Sequence, residues 1–94
     1  MKGASMRYKI KVTKEHIRRG TKCSGQFCPV ALAIKDHKIL SKKLNDIYVY
    51  SYKIDNFEKS LDIPLPEKVQ NFISDFDNKR TVKPFEFFVN VPNS

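Results

Sequence analysis

Four residues could hold a metal ion or attack a substrate: His16, Cys23, Cys28 and His37, spaced as H-x6-C-x4-C-x8-H. Zinc asks for four ligand atoms around one point, at bonds of roughly 2.0–2.3 Å. This spacing matches no finger or ribbon pattern. If Cys28 opens a helix, His37 lies about 13 Å farther along its axis, at about 1.5 Å per residue. The two cannot then share an ion. His16 with Cys23 and Cys28 is the remaining metal candidate, one ligand short, so no metal and no other cofactor is expected. The thiols offer a second chemistry. A helix N-terminus favours thiolate through its dipole and free N–H groups, which could lower the pKa of Cys28. Neither C-x-x-C nor a C-x5-R phosphate cradle is present. The expectation is a pair of small thiols closing a loop onto the core, and a protein that is not an enzyme. His37 falls on an apolar helical arc and reads as a core histidine with one satisfied nitrogen. Glu67, Asp75 and Asp77 are neither paired for acid–base work nor spaced for Mg²⁺, and read as a solvated face.

Charge points to binding rather than catalysis. The net charge is +8, unevenly spread. Residues 1–45 hold twelve Lys/Arg against Glu15 and Asp36, a balance of +10; residues 46–94 hold six against eight, a balance of −2. A lysine-rich coding bias alone would spread the charge evenly. The first half is therefore the face for an anionic partner. Lys9, Lys11, Lys14, Arg18, Arg19 and Lys22 are its candidate patch. Tyr48, Tyr50 and Tyr52, with Lys53 beside them, form an alternating row that could stack nucleic-acid bases. The competing reading is that tyrosine is a favoured strand residue packing across its neighbours.

These residues need elements to position them. Ninety-four residues make one domain with a thin core. Residues 1–5 read as a flexible tail or a cloning remnant, and residues 6–94 as a single α+β domain. Met6, Tyr8, Ile10 and Val12 alternate with Arg7, Lys9 and Lys11, the pattern of a half-buried strand. Thr13 caps a short helix that leans on the strand through Ile17, and Gly20 is expected to end it in a left-handed conformation. After a loop over residues 21–27, Pro29 starts a second helix over residues 30–37. Residues 41–45 read as a basic connection. Residues 46–54 are rich in β-branched and aromatic types and read as one strand. Asp55-Asn56 is a turn signal, with a return strand over residues 57–61. Val69, Phe72, Ile73 and Phe76 form the core stripe of a third helix running from Glu67 to about Asp77. Residues 82–91 close the chain as a strand, with Phe85, Phe87, Val89 and Val91 on one face and Glu86, Phe88 and Asn90 on the other. The order is β-α-α-β-(β)-α-β: one mainly antiparallel sheet of three or four strands, with helices packed on one face.

Four stretches carry a resemblance: V-T-K-E-H-I-R-R-G (12–20), C-P-V-A-L-A-I (28–34), L-P-E-K-V-Q-N-F-I-S-D-F-D (65–77) and V-K-P-F-E-F (82–87). With these the chain resembles a family of small uncharacterised phage and prophage proteins. The resemblance implies a viral or mobile-element origin and no particular activity. Cys28-Pro29, Asp77 and Pro84-Phe85 are the matches that caps and core positions explain least.

The longest apolar run falls far short of the roughly 18 residues of a membrane span, and no secretory leader is visible. With two cysteines and no leader, the expected setting is the reducing host cytoplasm, with free thiols. The functional expectation is a small binding protein whose basic half engages nucleic acid or an acidic host-protein surface, as an inhibitor of host machinery would. Two other classes compete: a thiol- or zinc-dependent protein centred on Cys23 and Cys28, and a self-associating protein using an open sheet edge or the tyrosine face.

Overall fold

The computed structural model describes residues 5–44, 47–56 and 61–92. Nine elements follow in order: β1 (Ser5–Val12), α1 (Lys14–Arg19), α2 (Pro29–Lys35), α3 (Leu40–Lys43), β2 (Ile47–Val49), β3 (Lys53–Asn56), β4 (Leu61–Pro64), α4 (Glu67–Asp77) and β5 (Phe85–Pro92). The class is α+β. The strands divide into two antiparallel sheets rather than joining in one: a ribbon of β1 and β5, and a meander in the order β2-β3-β4.

The ribbon joins the two ends of the described chain. Tyr8 pairs with Val89, Ile10 with Phe87 and Val12 with Phe85. On this inner face Ile10, Val12, Phe87 and Val89 are almost fully buried. The period-two pattern drives the pairing, because a one-residue slip would turn all of these side chains into water. The inner face packs into one core with Val30 and Ile34 of α2, Leu40 of α3, Ile54 and Ile63 of the meander, and Val69 of α4. Phe72, Phe76, Phe85 and Phe87 form a chain of ring contacts with centroids 4.6–6.2 Å apart, tying α4 to β5.

Four local expectations are corrected. Residues 46–54 are not one strand. Tyr50 N–H bonds the Lys53 carbonyl at 2.8 Å, and the chain folds back there so that Val49 pairs with Ile54 and Ile47 with Asn56. Doubling back buries Ile47, Val49 and Ile54 on one side, which a single long strand could not do. Asn56, expected in a turn, is fully buried within β3; residues 57–60 of the expected return strand lie outside the described residues. The second helix stops at Lys35, and a short α3 lies within the segment read as a connection. Gly20 is extended (φ −71°, ψ 152°), not left-handed. Its lack of a side chain serves close packing instead, since a Cβ there would sit 2.6 Å from Cδ of Pro29.

Candidate nucleic-acid interface

The outer face of the ribbon carries what the inner face cannot. Arg7 stands opposite Asn90, Lys9 opposite Phe88 and Lys11 opposite Glu86. All six are exposed. Phe88 is the anomaly, an aromatic ring 44% exposed on a solvent face. The Arg7 guanidinium lies 4.2 Å from its centroid, reaching diagonally across the ribbon. Lys9 pairs with Glu86 at 3.0 Å. That hydrogen bond, with weaker help from Lys11 and Lys68, holds the Glu86 carboxyl below its ordinary range. Among the described residues Lys11 has no acidic partner at ion-pair distance.

The cations continue past the end of β1. Lys11 and Lys14 line one side of an open cleft of about 420 Å³ whose other side is Pro84, Phe85 and Glu86. A second cleft of about 280 Å³ takes Lys9, Lys11, Thr13 and His16 against Asp36 and His37 beyond α2. The remaining patch candidates disperse. Arg18 is tied to Glu15 within α1, an exposed pair of small energetic weight. Lys22 turns toward α4, 6.0 Å from the Phe76 ring centroid. Arg19 is exposed, without an acidic partner among the described residues.

The histidines are spoken for. His16 is only 7% exposed and completes a capping box with Thr13: its N–H bonds Thr13 Oγ1 at 3.3 Å, and its Nδ1 accepts the Thr13 N–H at 3.0 Å. Because a backbone N–H can only donate, the neutral ring carries its proton on Nε2, which donates to Asp36 Oδ2 at 2.7 Å. Both nitrogens are used to lock α1 onto α2. His37 is half-buried just beyond α2, and its Nδ1 accepts the N–H groups of Ile39 and Leu40 at 3.2 and 3.1 Å. Its neutral proton is therefore on Nε2 as well, where it finds no partner among the described residues. The ring stands edge-on to Tyr8, with centroids 5.7 Å apart.

The cysteine loop is a structural clamp. Cys23, in a left-handed conformation (φ 56°), donates its N–H to Asp77 Oδ1 at 2.9 Å, pinning the loop to the end of α4. Gly25 accepts from Val49 N–H at 2.8 Å, and a Cβ on Gly25 would collide with the Tyr48 ring. Cys28 is buried at the N-cap of α2. Burial pushes its thiol above the ordinary value, outweighing the Ala31 and Val30 N–H groups that favour thiolate. The lowering that the helix dipole could supply is thus outweighed by burial. Among the described residues no three His, Cys, Asp or Glu side chains could hold a metal ion. Of the matches that caps and core leave least explained, Cys28, Pro29 and Asp77 belong to this clamp, and Phe85 to the ring chain on α4.

The tyrosine row closes on itself. Tyr48 and Tyr50 have centroids 4.8 Å apart, and Tyr50 and Tyr52 6.2 Å. Lys53 Nζ lies 5.4 and 5.8 Å from the Tyr50 and Tyr52 centroids and is held by Asp62 at 3.1 Å. Tyr48 rests on Gly25. Only Tyr52, 56% exposed, presents much of its ring to solvent. Among the described residues no hydrogen bond, ion pair or ring contact links the row to the ribbon.

The structure thus brings together Lys9, Lys11 and Lys14 with Arg7 of the same strand and adds Phe88 and Asn90, which a search for basic runs passes over. Alternation in residues 82–91 already placed Phe88 and Asn90 outward; their pairing with β1 required the register. Compared with family models, curated proteins and solved structures, the chain matches none. Among the described residues no helix is long and apolar enough to cross a membrane.

Proposed function

We propose that this protein binds nucleic acid, without catalysing a reaction on it, through the outer face of the β1–β5 ribbon and the adjoining Lys14. The observation that supports this most is the charge on that face. Arg7, Lys9 and Lys11 share the outer ribbon with one carboxylate, that of Glu86, and Asp36, across the neighbouring cleft, is bonded to His16. In contrast, the acidic residues of the second half stand largely on the meander and α4, where Asp62 and Asp75 neutralise Lys53 and Arg80. A rigid strand presents its cations at about 6.8 Å intervals on one side, so several can meet phosphates at once. The resemblance to small phage and prophage proteins is in keeping with a compact binder acting in a host cell.

Fluorescence anisotropy with labelled oligonucleotides tests the reading. With about four phosphates neutralised, affinity should fall about 10²-fold between roughly 50 and 200 mM salt. No binding at the low-salt end contradicts it. Nuclease-insensitive capture of one acidic host protein would move the partner from nucleic acid to a protein surface.

A further inference from the structure

We infer that the outer ribbon face enters the major groove of B-form DNA and contacts base edges there, an inference that rests on the nucleic-acid reading of that face. Size is the first reason. The ribbon is a separate two-stranded antiparallel sheet of eight-residue strands with one face on the core and the other in solvent. The major groove is about 12 Å wide and accepts a two-stranded ribbon, whereas the minor groove, at about 6 Å, does not.

Chemistry is the second. A surface that only tracked phosphates would need nothing but cations. This one sets Asn90 directly opposite Arg7, and Phe88 directly opposite Lys9. Arg and Lys pair with guanine O6 and N7, Asn pairs with adenine N6 and N7, and Phe packs on the thymine methyl group. An exposed phenylalanine has no role in packing this core, but the floor of the major groove supplies an apolar partner for it. Arg7 is already held over Phe88, so its side chain loses little freedom on docking.

The flanks are the third. Phosphates line both walls of the groove, and the ribbon is bordered by Lys14 at one end and by the His37 cleft along its side. Other nucleic acids fit less well. The major groove of A-form RNA is too deep and narrow for side chains to read. Single strands need several free aromatic faces in a row, while Tyr48 and Tyr50 pack on each other, Lys53 lies over Tyr50, and Arg7 covers one side of Phe88.

The test compares five probes of one mixed sequence, about 24 base pairs or nucleotides long, roughly two turns, at about 50 mM salt. They are a plain DNA duplex, the same duplex with glucosylated hydroxymethylcytosine filling the major groove, the duplex saturated with the minor-groove ligand netropsin, the RNA duplex, and single-stranded DNA. The plain duplex should bind at least about tenfold tighter than the glucosylated duplex, the RNA duplex or the single strand, and netropsin should change affinity less than about twofold. A Phe88→Ala/Asn90→Ala variant should lose duplex affinity about tenfold while keeping its circular dichroism and urea midpoint. Equal binding to plain and glucosylated duplexes, or displacement by netropsin, overturns the major-groove inference while leaving nucleic-acid binding standing. Failure to bind any of the five overturns the underlying reading itself.

Discussion

The β1–β5 ribbon and the tyrosine hairpin look alike as patterns: each alternates side chains along a strand, and each offers rings and cations to solvent. They differ in what has already been spent. On the hairpin, Tyr48 rests on Gly25, Tyr50 on Tyr48, and Lys53 covers Tyr50 and Tyr52 while Asp62 neutralises it. On the ribbon, Lys11 and Lys14 have no acidic partner at ion-pair distance among the described residues, and the contact to the Phe88 ring there is that of Arg7. A residue type announces capacity; only the neighbours show whether that capacity is left over for a partner.

The sharpest form of the contrast lies between two adjacent phenylalanines of one strand. Phe87 is 1% exposed at the centre of the core, so Phe87→Ala should cost about 3–5 kcal/mol. Phe88→Ala, on the solvent face, should stay within about 0.5 kcal/mol in urea denaturation. Similar losses at both positions would show that the ribbon lacks a free face.

Next in size is the charge test. Lys11→Glu/Lys14→Glu should weaken oligonucleotide binding about 10²-fold at low salt, without changing stability by more than about 0.5 kcal/mol. Tyr50→Ala/Tyr52→Ala should leave affinity within about twofold, because among the described residues no hydrogen bond, ion pair or ring contact joins these rings to the ribbon. If the tyrosine variant loses more affinity than the lysine variant, the comparison is inverted.

Much of the ribbon was legible before any coordinates. Alternation in residues 6–12 and 82–91 sorts Tyr8, Ile10, Phe87 and Val89 inward and Lys9, Lys11 and Phe88 outward, because a two-residue period admits only two faces. Thr13 as a cap, Pro29 at a helix start and the Val69–Phe72–Ile73–Phe76 stripe were equally readable. The hairpin was not. Tyr50-Ser51-Tyr52-Lys53 contains no Gly, Pro, Asn or Asp, and its strong strand propensities concealed a turn that only tertiary burial of Val49 and Ile54 demands. Nor was the division into two sheets, since pairing across nearly the whole chain leaves no local trace. The site was half legible: Lys9, Lys11 and Lys14 stood out by charge. Arg7, Phe88 and Asn90 follow from the same alternation, but only the register sets the two rows side by side, and only the folded contacts tie Arg18 to Glu15 and turn Lys22 toward α4.

A smaller effect separates clamp from interface. His16→Ala removes half a capping box and the bond to Asp36, and should cost about 1–2 kcal/mol with nucleic-acid affinity unchanged. Parallel loss of affinity would give His16 a role at the surface.

Smaller still are two titratable groups. Glu86→Gln releases Lys9 and should raise affinity about threefold; unchanged affinity would mean that Lys9 does not face the partner. Cys28 tests the clamp by pH. Its folded pKa lies above the unfolded value, so it supports folding fully below the unfolded thiol range, about 8.5, and that support is lost as pH rises through the folded value. The urea midpoint should therefore fall on the alkaline side of about pH 8.5, and less so in Cys28→Ala. An equal fall in both would remove the buried thiol from the account.

The most direct test of the central claim is the salt dependence of a Lys11→Gln variant against the wild-type chain. If Lys11 sits on a phosphate, the slope of log K against log salt should become shallower by about 0.9. An identical slope in the two proteins would place the bound nucleic acid somewhere other than the ribbon.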